Sequence, residues 1–104
     1  MLFEVIHVQQ ARGQPLQRWF CSYDQDLLVW FDEGGAVVAF ELRYGDDRAI
    51  RWNVDRGFVR CDARRVAPVL ERFTELAFEM PPEIAEFVAA RLREHSEYHD
   101  EASE

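Results

Sequence analysis

Four runs of alternating apolar and polar residues follow one another between Arg18 and Val54, and each run stops at a cluster rich in Asp or Gly. The runs are Arg18–Tyr23, Leu27–Phe31, Val37–Tyr44 and Ile50–Val54. The clusters are Asp24-Gln25-Asp26, Asp32-Glu33-Gly34-Gly35, Gly45-Asp46-Asp47 and Asp55-Arg56-Gly57. A period of two sends successive side chains to opposite faces of a strand, and Asp and Gly supply the tight turns. Connections this short join antiparallel neighbours, since a parallel crossover needs a dozen or more residues. Phe58–Cys61 adds a short last strand. Leu2–Gln9 adds a first, across the polar loop Gln10–Pro15 with Gly13 and Pro15 as breakers. The expectation is a meander of about six strands in chain order.

From Val69 the period lengthens. Val69, Leu70, Phe73, Leu76, Ala77 and Met80 recur at helical spacing, with Glu71, Glu75 and Glu79 on the other side. Like charges four apart weaken an isolated helix, so packing of the apolar stripe must stabilise it. Ala67 is the expected boundary, with Pro68 at the first helical position. Met80-Pro81-Pro82 separates a second helix, whose stripe is Ile84, Phe87, Val88 and Leu92. The fold class is therefore α+β: an antiparallel meander followed by two C-terminal helices packed on one face. Residues 1–96 form a single domain, and the acidic tail 97–104 is expected to fray. The second sheet face is left solvated, curled into a half-barrel or buried in a dimer.

A chain of 104 residues with 48% hydrophobic and 13% aromatic content can build one core without metal or disulfide. The formal charge of −8 repels nucleic-acid backbones and anionic membranes. All twelve basic residues are Arg, a side chain that grips carboxylate or phosphate bidentately, although genomic preference for Arg is the simpler cause. Cys21 and Cys61 fall in different strands kept apart by the meander, and read as free thiols in a reducing compartment. With no leading basic-plus-apolar segment and no long apolar run, the reading is a cytoplasmic, soluble protein.

Candidate sites are few. In a meander alternate turns emerge at the same end, which places Asp24 and Asp26 about 10 Å from Asp46 and Asp47. Four carboxylates suit Ca²⁺ or Mg²⁺, but Asp in a turn is explained by its own backbone hydrogen bonds, so no cofactor is expected. His95 and His99 have the i, i+4 spacing of a transition-metal pair, yet sit in His-Ser-Glu-Tyr-His near a helix end that favours cations anyway. No C-x-x-C or Cys/His ligand spacing is present, which speaks against zinc. His7 reads as a core or edge histidine. Gly-x-Ser-x-Gly, Walker and dinucleotide-binding motifs are missing, so catalysis is disfavoured.

Aromatic and Arg residues alternate through the strands. Trp30, Tyr44 and Trp52, rimmed by Arg18 and Arg51, are the expected binding surface, because Trp, Tyr and Arg dominate interface hot spots. The competing reading is that the aromatic residues fill the core beneath the helices.

The stretch Arg18-Trp19-Phe20, Asp24-x-Asp26-Leu27-x-Val29-Trp30-x-Asp32, Gly35, Phe40-x-Leu42-x-Tyr44-x-Asp46 and Trp52 resembles an uncharacterised group of small bacterial proteins. These share an Arg-Trp-Phe, Asp-Leu-x-Val-Trp and Phe-x-Leu-x-Tyr-Asp pattern. The resemblance covers the strands and continues weakly into Pro81–Leu92. It implies a bacterial, cytosolic protein. The group carries no assigned activity, so no residue role transfers. This chain departs from the pattern where Gly45 intrudes between Tyr44 and Asp46, and where the segment before Val69 is shortened.

Together these readings predict a non-enzymatic binding or interaction protein, homodimeric through its sheet. The alternatives are a small-molecule carrier with an enclosed apolar pocket, or an acidic inhibitor of the immunity type that covers a basic partner.

Overall fold

A computed structural model describes residues 1–5 and 16–102. Six strands, β1 (Phe3–Val5), β2 (Leu16–Cys21), β3 (Gln25–Phe31), β4 (Val37–Tyr44), β5 (Arg48–Asn53) and β6 (Gly57–Cys61), are followed by helices α1 (Val66–Leu76) and α2 (Pro82–Ala102). The sheet order is β1-β2-β3-β4-β5-β6, and every neighbouring pair is antiparallel. The expected meander and its two C-terminal helices are present. The remainder of the expected first strand, His7 and the 10–15 loop lie outside the described residues.

Register assigns every side chain to a face. Phe20, Leu27, Leu42 and Ile50 face one another across four strands, and Val29, Phe40 and Trp52 across three. All are buried, together with Phe73 of α1 and Ile84, Val88 and Leu92 of α2. This is the helix-covered face, and each such side chain contributes about 1.5–3 kcal/mol by leaving water. The intervening positions form the open face: Trp19, Leu28, Glu41, Arg51 and Arg60 in one row, Cys21, Asp26, Arg43 and Ala49 in the next.

The turns follow the Asp/Gly signals. Asp32 Oδ1 accepts the Ala36 amide at 2.9 Å, and Asn53 Oδ1 accepts the Arg56 amide at 2.8 Å. Gly45 and Asp47 both adopt left-handed backbone, at φ 62° and 60°, a conformation that Gly takes freely and Asp tolerates.

The start of α1 and the end of α2 differ from expectation for one shared reason. Arg65 supplies no side-chain cap to α1; the Asp100 carboxylate does so from the end of α2. The Val66 and Ala67 amides donate to its Oδ1 and Oδ2 at 2.6 and 2.9 Å. Helix α1 therefore starts at Val66, and Pro68 falls in the first turn, where a missing N–H leaves nothing unpaired. It stops at Leu76, so Ala77 and Met80 pack into the core from beyond the helix. The same contact keeps α2 helical to Ala102, well into the segment expected to fray, with Asp100 itself buried.

Candidate anion pocket and metal centre

Strand parity separates the five residues expected to form one binding surface. Trp30 and Arg51 point to the open face. Trp52 lies on the covered face, its ring 5.6 Å from Phe40 and 5.2 Å from Phe87 of α2. Tyr44 also packs against the core. Burial pushes its phenol up to about 12, helped by the nearby charges of Cys61 and Asp62. Among the described residues its hydroxyl has no hydrogen-bond partner. Arg18 sits at the covered side of the β1 edge, with Nε and Nη2 each donating to Glu4 at 2.7 Å and its guanidinium 5.3 Å from the Phe20 ring. Of the five, then, Trp30 and Arg51 lie on the open face, and Arg18, Tyr44 and Trp52 on the covered one.

Arg51 belongs to a constellation that the sequence reading missed. Glu41 stands opposite Arg51, and Arg51 opposite Arg60, on three adjacent strands. Glu41 is 3% exposed although no helix covers it. Its Oε1 accepts from Arg51 Nε at 2.9 Å and from Arg51 Nη2, while Oε2 accepts from Arg43 Nε at 2.7 Å. Burial pushes this carboxyl up, but the hydrogen bonds from Arg51 and Arg43 outweigh it and hold the group below the usual range. Arg60 turns to Asp62 Oδ2 at 2.9 Å and to the Asp47 carbonyl at 3.0 Å. Above Glu41 lies a concavity of about 290 Å³, open to solvent and lined by Arg43, Arg48, Arg51, Arg60 and Asp47. Four cationic and two anionic groups, counting Glu41, give this hollow a formal +2 in a chain of −8. Parity alone could have revealed it, since Glu41 and Arg43 share one side of β4 while Phe40, Leu42 and Tyr44 share the other.

The four candidate metal-binding aspartates do not converge. Asp24 receives a two-pronged hydrogen bond from Arg72 of α1, at 2.8 and 3.0 Å, and this partner holds its carboxyl below the usual range. Asp26 stands in β3 opposite Arg43, while Asp46 and Asp47 form the β4–β5 turn.

A different set does converge. Cys61 ends β6, and His95 and His99 lie one turn apart on α2; one donor atom from each falls within 4.8 Å of the other two. This is the sole such group of three among the described residues. The His95 ring stacks on Phe58 at 4.1 Å and on His99 at 5.1 Å. His99 Nε2 lies 3.0 Å from the Ala63 carbonyl, and the Cys61 thiol 3.7 Å from the same oxygen. His95 Nε2 is buried with no hydrogen-bond partner among the described residues. Burial pushes the Cys61 thiol up, while burial and the neighbouring His99 push His95 down, so both are neutral near pH 7. The histidine spacing was visible in the sequence; the approach of Cys61 was not.

Another hollow, of about 280 Å³, opens between the helices, lined by Phe73, Ala77, Phe78 and Met80. No described helix is long and apolar enough to cross a membrane. Comparison with known protein families, curated proteins and solved structures returns no match to this chain.

Proposed function

We propose that this is a small cytosolic binding protein whose working surface is the open sheet face, with the arginine hollow receiving a phosphate or carboxylate group of its ligand. The carrying observation is the buried Glu41 carboxylate, which holds two half-exposed guanidiniums side by side at the rim of a concavity. Arg43 spends only Nε on this carboxylate, and Arg51 spends Nε and Nη2, so further N–H donors of both remain for a ligand. A fixed, planar donor set loses little freedom on meeting an oxyanion. Arg51 and Arg60 face each other directly, an arrangement that weakens a sheet. A bound anion removes that repulsion.

Titration with inorganic phosphate at constant ionic strength, followed through the arginine Nε–H resonances, tests the reading. Saturable shifts at Arg43, Arg51 and Arg60 are expected, with a Kd of about 1 mM, equivalent to about 4 kcal/mol. Arg51→Gln and Arg60→Gln each weaken the binding, and chloride at equal ionic strength leaves the signals in place. Resonances that ignore phosphate far above that concentration rule the pocket out.

The other half of the same face favours self-association as a second reading. Phe3 is 59% exposed on the open side of the short edge strand, next to Cys21 and close to Trp19. Sedimentation at micromolar concentration separates the cases, because a species of 12.3 kDa is a monomer and removes the dimer.

A further inference from the structure

We propose that Cys61, His95 and His99 together bind one thiophilic transition-metal ion, with Zn²⁺ the best fit, leaving a fourth position for water. Cys61 projects to the covered face and the neighbouring Arg60 to the open one, so this site is independent of the arginine hollow. One thiol and two imidazoles are the donors that Zn²⁺ and its neighbours prefer, whereas Ca²⁺ and Mg²⁺ take oxygen. Tetrahedral Zn²⁺ with ordinary Zn–S and Zn–N bonds sets its donors about 3.3–3.6 Å apart. The three donors here already lie within 4.8 Å of one another, so rotations of about 1 Å at each side chain complete the site.

The second observation is the orphaned ring nitrogen. His95 Nε2 is buried and has no hydrogen-bond partner among the described residues, although buried polar atoms are as a rule satisfied. A metal ion at this position satisfies it. The surroundings also act as a supporting shell. His99 Nε2 lies 3.0 Å from the Ala63 carbonyl, a contact that holds the ring in place. Phe58 holds the His95 ring flat from below, and the Asp100 cap on α1 anchors the end of α2 that carries both histidines. On binding, the thiol loses its proton to solvent and a metal–thiolate bond forms; no electron is transferred.

The test uses the whole chain, freed of metal by chelation, with Zn²⁺ and Co²⁺ as probes. Calorimetry is expected to show one Zn²⁺ per chain. Co²⁺ is expected to give the near-ultraviolet absorption of a thiolate-to-cobalt transition, which Cys61→Ser abolishes. His95→Gln and His99→Gln weaken binding at least about tenfold. A second measurement needs no variant: Zn²⁺ should slow alkylation of Cys61 by iodoacetamide several-fold, while Cys21, on the opposite sheet face, reacts as before. A Co²⁺ complex without thiolate absorption, or Cys61 alkylation unchanged by Zn²⁺, overturns the proposal.

Discussion

Glu41, Asp100 and Tyr44 show how differently three buried polar side chains affect the fold. Glu41 is satisfied by two guanidiniums that are themselves half in water, at 51% and 54% exposure, so part of its Coulomb gain is screened. Glu41→Gln is expected to cost about 1–3 kcal/mol, read as a lower urea midpoint, and to leave Arg43, Arg51 and Arg60 repelling one another. Added phosphate should restore part of that loss if the pocket binds anions. Asp100 satisfies two of the amides that every helix N-terminus leaves unpaired. Asp100→Ala should cost about 1–2 kcal/mol and speed amide exchange at Val66 and Ala67. Tyr44 is the reverse case, because its hydroxyl is buried without a described partner. Tyr44→Phe is expected to leave stability unchanged or raise it by about 1 kcal/mol. A clear loss would mean that the hydroxyl has a partner.

At the scale of elements, the helices are held to the sheet by two unlike contacts. Arg72 of α1 reaches Asp24 in the β2–β3 turn, but this pair is solvent-exposed at both ends, with 45% and 38% of each side chain accessible. Exposed pairs gain little, because water and salt screen them and two long side chains must be ordered. Phe73, one residue on, is fully buried. Phe73→Ala should therefore cost about 3–5 kcal/mol, while Arg72→Ala leaves the thermal midpoint nearly unchanged. Equal effects from the two would contradict this account. Helix α2 docks through Phe87 on Trp52 near its start and His95 on Phe58 near its end, so one helix spans β5 and β6 with aromatic contacts at both points. That docking line brings the two histidines over Cys61. It also explains why the end of α2 stays helical despite its acidic, apolar-poor sequence.

Across the whole molecule, charge governs behaviour in acid. The carboxyls of Glu4, Asp24 and Glu41 all lie below their ordinary values because each is hydrogen-bonded to arginine. A depressed folded-state value means that the stabilisation is fully present above the unfolded-state pKa, 4.5 for Glu and 3.8 for Asp. It disappears as pH falls through the lower folded-state values. The urea midpoint should thus fall gently as pH drops below 6.5, where His95 is held neutral only in the folded state, and more steeply below about pH 4.5, where the carboxyls are protonated. Glu41→Gln should flatten part of that drop. A midpoint that holds steady down to pH 3 would show that these pairs contribute nothing.

How much of this was legible beforehand follows from how local each feature is. Strand order, hairpin turns and the two helices follow from a period of two, a period near four and the turn chemistry of Asp and Gly, all of which act between residues a few positions apart. Strand parity also separates the expected surface: Tyr44 and Trp52 alternate with Glu41 and Arg51, so one surface could not hold them all. The helix ends were not legible, because Asp100 caps α1 from a distant part of the chain. Nor was the meeting of Cys61 with His95 and His99, which depends on the line along which α2 lies over β6. By itself, then, the sequence determined the order and pairing of the elements, since hydrogen-bonded ladders and turns are set by neighbours. Tertiary packing alone decided which charged and metal-binding groups meet, because that depends on how a rigid helix settles onto a twisted sheet.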